Sequence, residues 1–350
     1  MKKLFIAAMA LATIVSCSKS DEPTLDSSRK SVSISIENMV NGTRGVTTPS
    51  AESDYKVADA ADLYVAFCDA NGNILGNIQQ LTSGDQTTKQ GAYTFHALSE
   101  SVVKFFVFGN DNGTLRSYDS LSAAETAWND SPTDQVDDEI KDVIVLGVSE
   151  NITYVSDCID PADPAIKYQL FEGEVTVKPN VARVEIKSIG CSDLGARDND
   201  GNTTTLGFDK LELIKIALAS MEEDLTSYDA LTANVVDGVA QPVSVSPANG
   251  NVWSWNFAGG AVNNYPLALT LKATNEDYVV SNPLRTITAT SYTDNETKTD
   301  ITSFEKGNVY KMDVIVTEKN LLGNDTNICV AVKVNINDWV INNITPNFGN

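Results

Sequence analysis

Histidine is almost missing: the 350-residue chain has one, His96. A lone imidazole removes nearly all multi-histidine metal sites and most histidine-based triads. Basic residues are also scarce, 25 Lys and Arg against 47 Asp and Glu, for a formal net charge of −22. Nucleic acid and anionic membrane surfaces repel such a chain, so neither is expected as a partner. The acidic residues are dispersed, as on a solvated surface. Five cysteines are too few for a disulfide scaffold, and none form a C-x-x-C pair. No G-x-S-x-G, P-loop, H-E-x-x-H or G-x-G-x-x-G occurs. Neither an enzyme activity nor a cofactor or metal is expected.

Long apolar runs are confined to the first residues. Lys2-Lys3 precede an apolar stretch from Leu4 to Val15, too short for a permanent membrane span. Residues 1–16 are expected to be a signal peptide. The sequence Ile14-Val15-Ser16-Cys17 resembles the lipobox of bacterial lipoproteins. That resemblance implies cleavage before Cys17, acylation of its thiol, and attachment of the precursor to a membrane through lipid. Ser18 to Lys30 is polar and is expected to form a tether. Cys68, Cys158, Cys191 and Cys329 remain. An oxidising compartment allows three connectivities among them. Cys68 and Cys329 sit inside apolar strand patterns, as buried free thiols do.

What the chain does have is strands. An apolar content of 42% is ordinary for a folded protein. Leu63 to Cys68, Asn71-Gly72, then Ile74 to Ile78 predicts a hairpin. Val102 to Phe108 is continuously apolar, as in a strand buried on both faces. Ser120 to Trp128 has helix formers behind a serine cap. Asp134 to Asp142 is a short helix or a loop, and Ser220 to Leu231 suggests another short helix. Strands return at Val143–Leu146, Tyr168–Phe171, Val181–Ile189, Phe208–Ile216, Leu267–Leu271, Asn308–Val316 and Ile328–Ile344. Many short strands between turn signals predict an all-β sandwich class, with two units in tandem divided near residue 173.

Few side-chain groups suggest chemistry. Asp198, Asp200 and Asn202, and likewise Asp69, Asn71 and Asn73, have the spacing of oxygen ligands. Gly201 stands at the fourth place and not the sixth, and no glutamate closes the loop, so a turn explains the first group better than calcium. Trp253 and Trp255 point the same way along one strand. Exposed, they would make a sugar-stacking platform; buried, they belong to a core, and their apolar neighbours favour a core. Arg183, inside an apolar strand, is expected to be paired or at an edge.

One stretch organises the rest. Val32, Ile34 and Ile36 alternate with Ser31, Ser33 and Ser35, which places the branched side chains on one face of a leading strand. Asn41-Gly42 ends it, and Arg44-Gly45 follows in a flexible sequence open to a trypsin-like protease. These features, the lipobox, Val175 to Ile186, Phe304 to Val314 and the run from Val330 to Trp339 together resemble the fimbrillin family of Bacteroidota type V pili. The resemblance covers nearly the whole chain and rests on order and spacing. It implies two tandem transthyretin-like (Greek-key) β-sandwich domains with a few short helices: a lipidated tether and leading strand at 17–44, an N-terminal domain at 45–173 and a C-terminal domain at 174–350. It also implies export through the periplasm to the outer membrane, and cutting after Arg44 by an arginine-specific surface protease. Loss of Val32, Ile34, Ile36 and Met39 would open a groove, which a strand from another copy or a related subunit would fill. The terminal alternation offers Trp339, Ile341 and Ile344 as donor-strand residues. Adhesion to host or bacterial surface ligands and biofilm formation follow from the same resemblance. The alternatives are a tip or anchor subunit, or a monomeric surface lipoprotein binding glycan or a host protein.

Overall fold

A computed structural model describes residues 22–37, 39–40, 58–59, 62–87, 92–109, 118–130, 144–195, 207–228, 230–248, 251–275, 284–294, 299–318, 321, 331–338 and 342–345. Among these the chain is all-β, with a single α-helix, Leu121–Asp130. Two sandwiches follow one another.

In the first sandwich, one sheet runs in the order Thr153–Ile159, Ile166–Thr176, Thr24–Glu37, Ala92–Ser99, Asp85–Gln86. The facing sheet runs Lys178–Pro179, Val145–Ser149, Lys104–Gly109, Leu63–Cys68, Gln79–Gln80. Between them lie Val32, Ile34, Phe67, Phe95, Phe105 and Val175. Phe106 and Phe108 point away from that core and pack with Tyr118 and Leu121 beneath the helix, so Lys104–Gly109 is buried on both faces as its composition predicts. Ser120 caps the helix, its Oγ accepting from the N–H of Ala123 at 3.2 Å. The hairpin expected at Asn71-Gly72 is present, with Gly72 at φ 82°. Cys68 bridges Ile74, and Gln79–Gln80 returns along Tyr64–Val65.

The second sandwich packs Met221–Asp224, Lys210–Leu218, Leu267–Thr274 and Leu284–Ala289 against a larger sheet. That larger sheet is built on Ala182–Cys191, Asn308–Val316, Ala331–Asp338 and Asn342–Thr345. Trp253–Phe257 and Val243–Val245 both pair with Ala182–Cys191, at opposite ends of it.

Three expectations are corrected. Residues from Thr24 to Lys30 belong to the leading strand and not to a tether: Thr24 and Leu25 pair with Ile166 and Lys167. The helix expected within Ser220–Leu231 is instead the strand Met221–Asp224, which turns back on Lys215–Leu218 through Ala219 at φ 52°. The division placed at residue 173 falls inside Ile166–Thr176; Lys178–Pro179 still pairs in the first sandwich, and the second begins at Ala182.

Candidate functional site

The leading strand sits at the centre of its sheet. It pairs parallel with Ile166–Thr176, Ile34 opposite Gly173, and antiparallel with Ala92–Ser99, Ile34 opposite Tyr93. An opening strand placed between two others, not at an edge, forms hydrogen bonds along both sides. Val32 and Ile34 are fully buried and Ile36 is 6% exposed. Gly173 leaves room for the core here, since a Cβ there would lie 2.4 Å from a ring carbon of Phe105. Three buried branched side chains contribute on the order of 5–9 kcal/mol gross.

The middle of the strand has a polar seat. Lys30 donates from Nζ to the carbonyl of Val102 at 2.8 Å and lies over the Phe171 ring at 4.4 Å. Burial holds its ammonium below the ordinary lysine range, with Glu100 opposing the shift. On the outward face Ser31 is fully buried. Its Oγ lies 2.8 Å from Nδ1 of His96, whose Nε2 lies 3.2 Å from Asp85 Oδ2. Serine, histidine and aspartate thus stand in a line. No substrate can reach a hydroxyl that water cannot, so the line holds the strand and performs no nucleophilic chemistry as it stands. Beside it the Tyr168 hydroxyl donates to Asp160 at 2.9 Å. Burial raises the Tyr168 pKa, the Asp160 bond adds to the rise, and Arg29 opposes it.

The other predicted residues fall as follows. Cys17, Arg44 and Gly45 lie outside the described residues, as do Trp339, Ile341, Cys329, Asp198, Asp200 and Asn202. Met39 is in the short strand Met39–Val40, paired parallel with Ala58–Asp59. Ile344 is in Asn342–Thr345, which pairs with Ala331–Asp338 and with Tyr292–Asp294 in the chain's own sheet. Trp253 and Trp255 are 3% and 1% exposed, in the second core. Asp69 is a turn residue: its carboxylate accepts from the N–H groups of Asn71 and Asn73 at 2.8 and 2.9 Å and from the Asn73 amide at 2.9 Å. Among the described residues no three His, Cys, Asp or Glu side chains form a metal-binding group. Cys68, Cys158 and Cys191 are free thiols, and burial pushes Cys68 up to about 11 and Cys191 up to about 12. Arg183 is paired: its Nε donates to Glu185 at 2.7 Å, with Asn256 and Ser254 accepting from the guanidinium. The alternation of residues 31–36 located the leading strand, but no local pattern shows that His96 meets Ser31 across the sheet.

No family model matches the chain, and no curated protein matches it. Solved structures do. A fimbrilin from Porphyromonas gingivalis W83 is 12% identical with a TM-score of 0.44, over 87% of this chain and 96% of that one. The tip fimbrial protein Mfa3 from Porphyromonas gingivalis is 11% identical with a TM-score of 0.43, over 89% and 100%. A fimbrial assembly protein from Parabacteroides distasonis is 11% identical with a TM-score of 0.40, over 91% and 98%. These structural neighbours are fimbrial proteins of Bacteroidota. With TM-scores below 0.5, the functional reading rests on the geometry of the leading strand.

Proposed function

We propose that the chain is a structural subunit of a surface fimbria of the fimbrillin kind, assembled by strand exchange. One observation carries the reading. A strand next to a protease-prone arginine in the sequence is the central strand of a sandwich sheet. A cut after Arg44 severs it from everything that follows. Its departure uncovers the apolar groove lined by Tyr93, Phe95, Phe105 and Val175, and leaves unpaired backbone along Ala92–Ser99 and Ile166–Thr176. Such a slot binds an incoming strand by β-augmentation. The precursor is exported as a lipoprotein acylated at Cys17, and the mature form joins copies of itself or related subunits at the cell surface. The donor is the terminal run containing Trp339, Ile341 and Ile344. For Ile344 this requires Asn342–Thr345 to leave its own sheet. The glycan-binding alternative loses its main feature, because Trp253 and Trp255 are buried.

N-terminal sequencing of surface-extracted protein tests the reading. A start at Gly45, with SDS-resistant ladders that vanish in an Arg44→Ala strain, is the expected result. A start at Cys17 in every extracted form, with no ladders, overturns it in favour of an anchored or monomeric lipoprotein.

A further inference from the structure

We infer that His96 is a specificity-determining residue of the groove: it favours strands with a serine or threonine at the place now held by Ser31, a feature that the leading strand has and that Asp338, Val340 and Asn342, the neighbours of Trp339 and Ile341, do not supply. The inference rests on the strand-exchange reading above. Apolar alternation alone selects poorly, because many strands can present three branched side chains in a row. A two-residue slip keeps an alternating pattern in phase, so the inner face does not by itself fix the register.

The outward face supplies what the inner face lacks. Lys30 pairs with Leu98 and Val32 with Phe95, so His96 and Ala97 together oppose Ser31. This is a β-bulge, with Ala97 at φ 57°, a conformation costly for a residue with a side chain. The bulge aims His96 across the strand pair. Its Nε2 lies 3.2 Å from Asp85 Oδ2; with the ring proton on that side, the neutral imidazole presents Nδ1 as an acceptor. The Ser31 hydroxyl, fully buried, lies 2.8 Å from it and can donate to it, while the ring of His96 stays partly exposed. Cys158 Sγ is 4.0 Å from the same nitrogen, and Tyr168 and Asp160 are occupied with each other. An incoming strand with Val or Ala at this place leaves Nδ1 only the Cys158 thiol, a weak donor at 4.0 Å, and a poorly met acceptor in a partly buried place is costly. A hydroxyl side chain satisfies it in one register only.

The test uses the full-length chain with a specific protease site inserted at 44–45. Nicking the folded protein leaves the leading segment seated without a covalent link. Labelled peptides spanning residues 28–37 then compete for the groove, with Ser31, Ser31→Thr or Ser31→Ala. The alanine peptide is expected to displace the resident strand about five- to tenfold less well than the serine and threonine peptides. In a His96→Ala protein that preference is expected to vanish, and a His96→Gln protein is expected to recover part of it. Equal displacement by serine and alanine peptides in the His96 protein overturns the inference and leaves strand exchange standing. Failure of every peptide to enter overturns the strand-exchange reading itself.

Discussion

The two sandwiches open in the same way and differ in what their opening strands can do. Thr24–Glu37 pairs parallel with a late strand of its sandwich, Ile166–Thr176. Ala182–Cys191 pairs parallel with Asn308–Val316. Both send branched side chains into a core: Val32, Ile34 and Ile36 in one, Val184, Ile186 and Ile189 in the other. Their other faces diverge. The first presents Ser31, Ser33 and Ser35, small hydroxyls that water hydrates readily once the strand is free, Ser31 being buried against His96 in the sheet. The second presents Arg183 and Glu185, 1% and 0% exposed and paired at 2.7 Å. Their connections diverge too. A cut at residue 44 frees the first, whereas the second is joined on one side to Lys178–Pro179 in the first sandwich and on the other to the rest of its own. On the proposed strand-exchange reading, the same topological place holds a removable strand in one half and a permanent strand in the other. The difference lies in outward-face chemistry and attachment, not in apolar burial.

The largest expected effect breaks the permanent strand. Glu185→Ala leaves a buried guanidinium unpaired and should cost about 3–5 kcal/mol. Urea unfolding followed by Trp fluorescence reads this, because Trp253 and Trp255 flank the site on the paired strand. A loss below about 1 kcal/mol would remove the distinction drawn between the two strands. Next, Ile34→Ala in the removable strand should cost about 2–4 kcal/mol. In a chain nicked at residue 44 the same change should speed release of the leading segment, as seen by size-exclusion chromatography. A slower release would mean that Ile34 does not anchor the strand. Smaller again, Gly173→Ala places a methyl against Phe105 and should lower stability by about 1–3 kcal/mol in thermal unfolding. An unchanged melting temperature would show that the Phe105 ring moves aside freely.

Much of this was legible in local pattern. Alternation at 31–36 gave the leading strand and its inward face, and continuous apolarity gave the doubly buried Lys104–Gly109. Thr24 to Lys30 was not legible, because Asp26, Ser27, Ser28 and Arg29 are residues that tethers also use. What makes that segment a strand is backbone pairing of Thr24, Leu25 and Lys30 with Ile166–Thr176 and of Arg29 with Ser99, far along the chain, to which composition is blind. The Ser220–Leu231 segment failed for a related reason: Met221 is drawn into a core, and the turn at Ala219 folds the segment back as a hairpin. The central place of the leading strand and the meeting of His96 with Ser31 are products of topology. No window of a dozen residues contains them.

The smallest effect separates the halves by pH. Glu318, buried in the second sandwich, is pushed up to about 6 from an ordinary value of 4.5, chiefly by burial, while the N–H groups of Phe208 and Gly195 oppose the shift. A carboxyl whose folded pKa lies above its unfolded one binds its proton more tightly when folded. Its contribution is complete below the unfolded value and is lost as pH rises through about 6. In the first sandwich Asp160 is shifted the other way, held down first by the Ala162 N–H and then by the Tyr168 hydroxyl. Its contribution is present above the unfolded value and is lost as pH falls through the lower folded one. Melting curves between pH 3 and 7 should therefore lose opposite slopes in two variants. Glu318→Gln should flatten a decline between about pH 4.5 and 6.5, and Asp160→Asn should flatten a decline on the acid side. If Glu318→Gln left the slope above pH 4.5 unchanged, burial at the 195–208 junction would not be holding the proton, and the acid responses of the two sandwiches would not differ in sign.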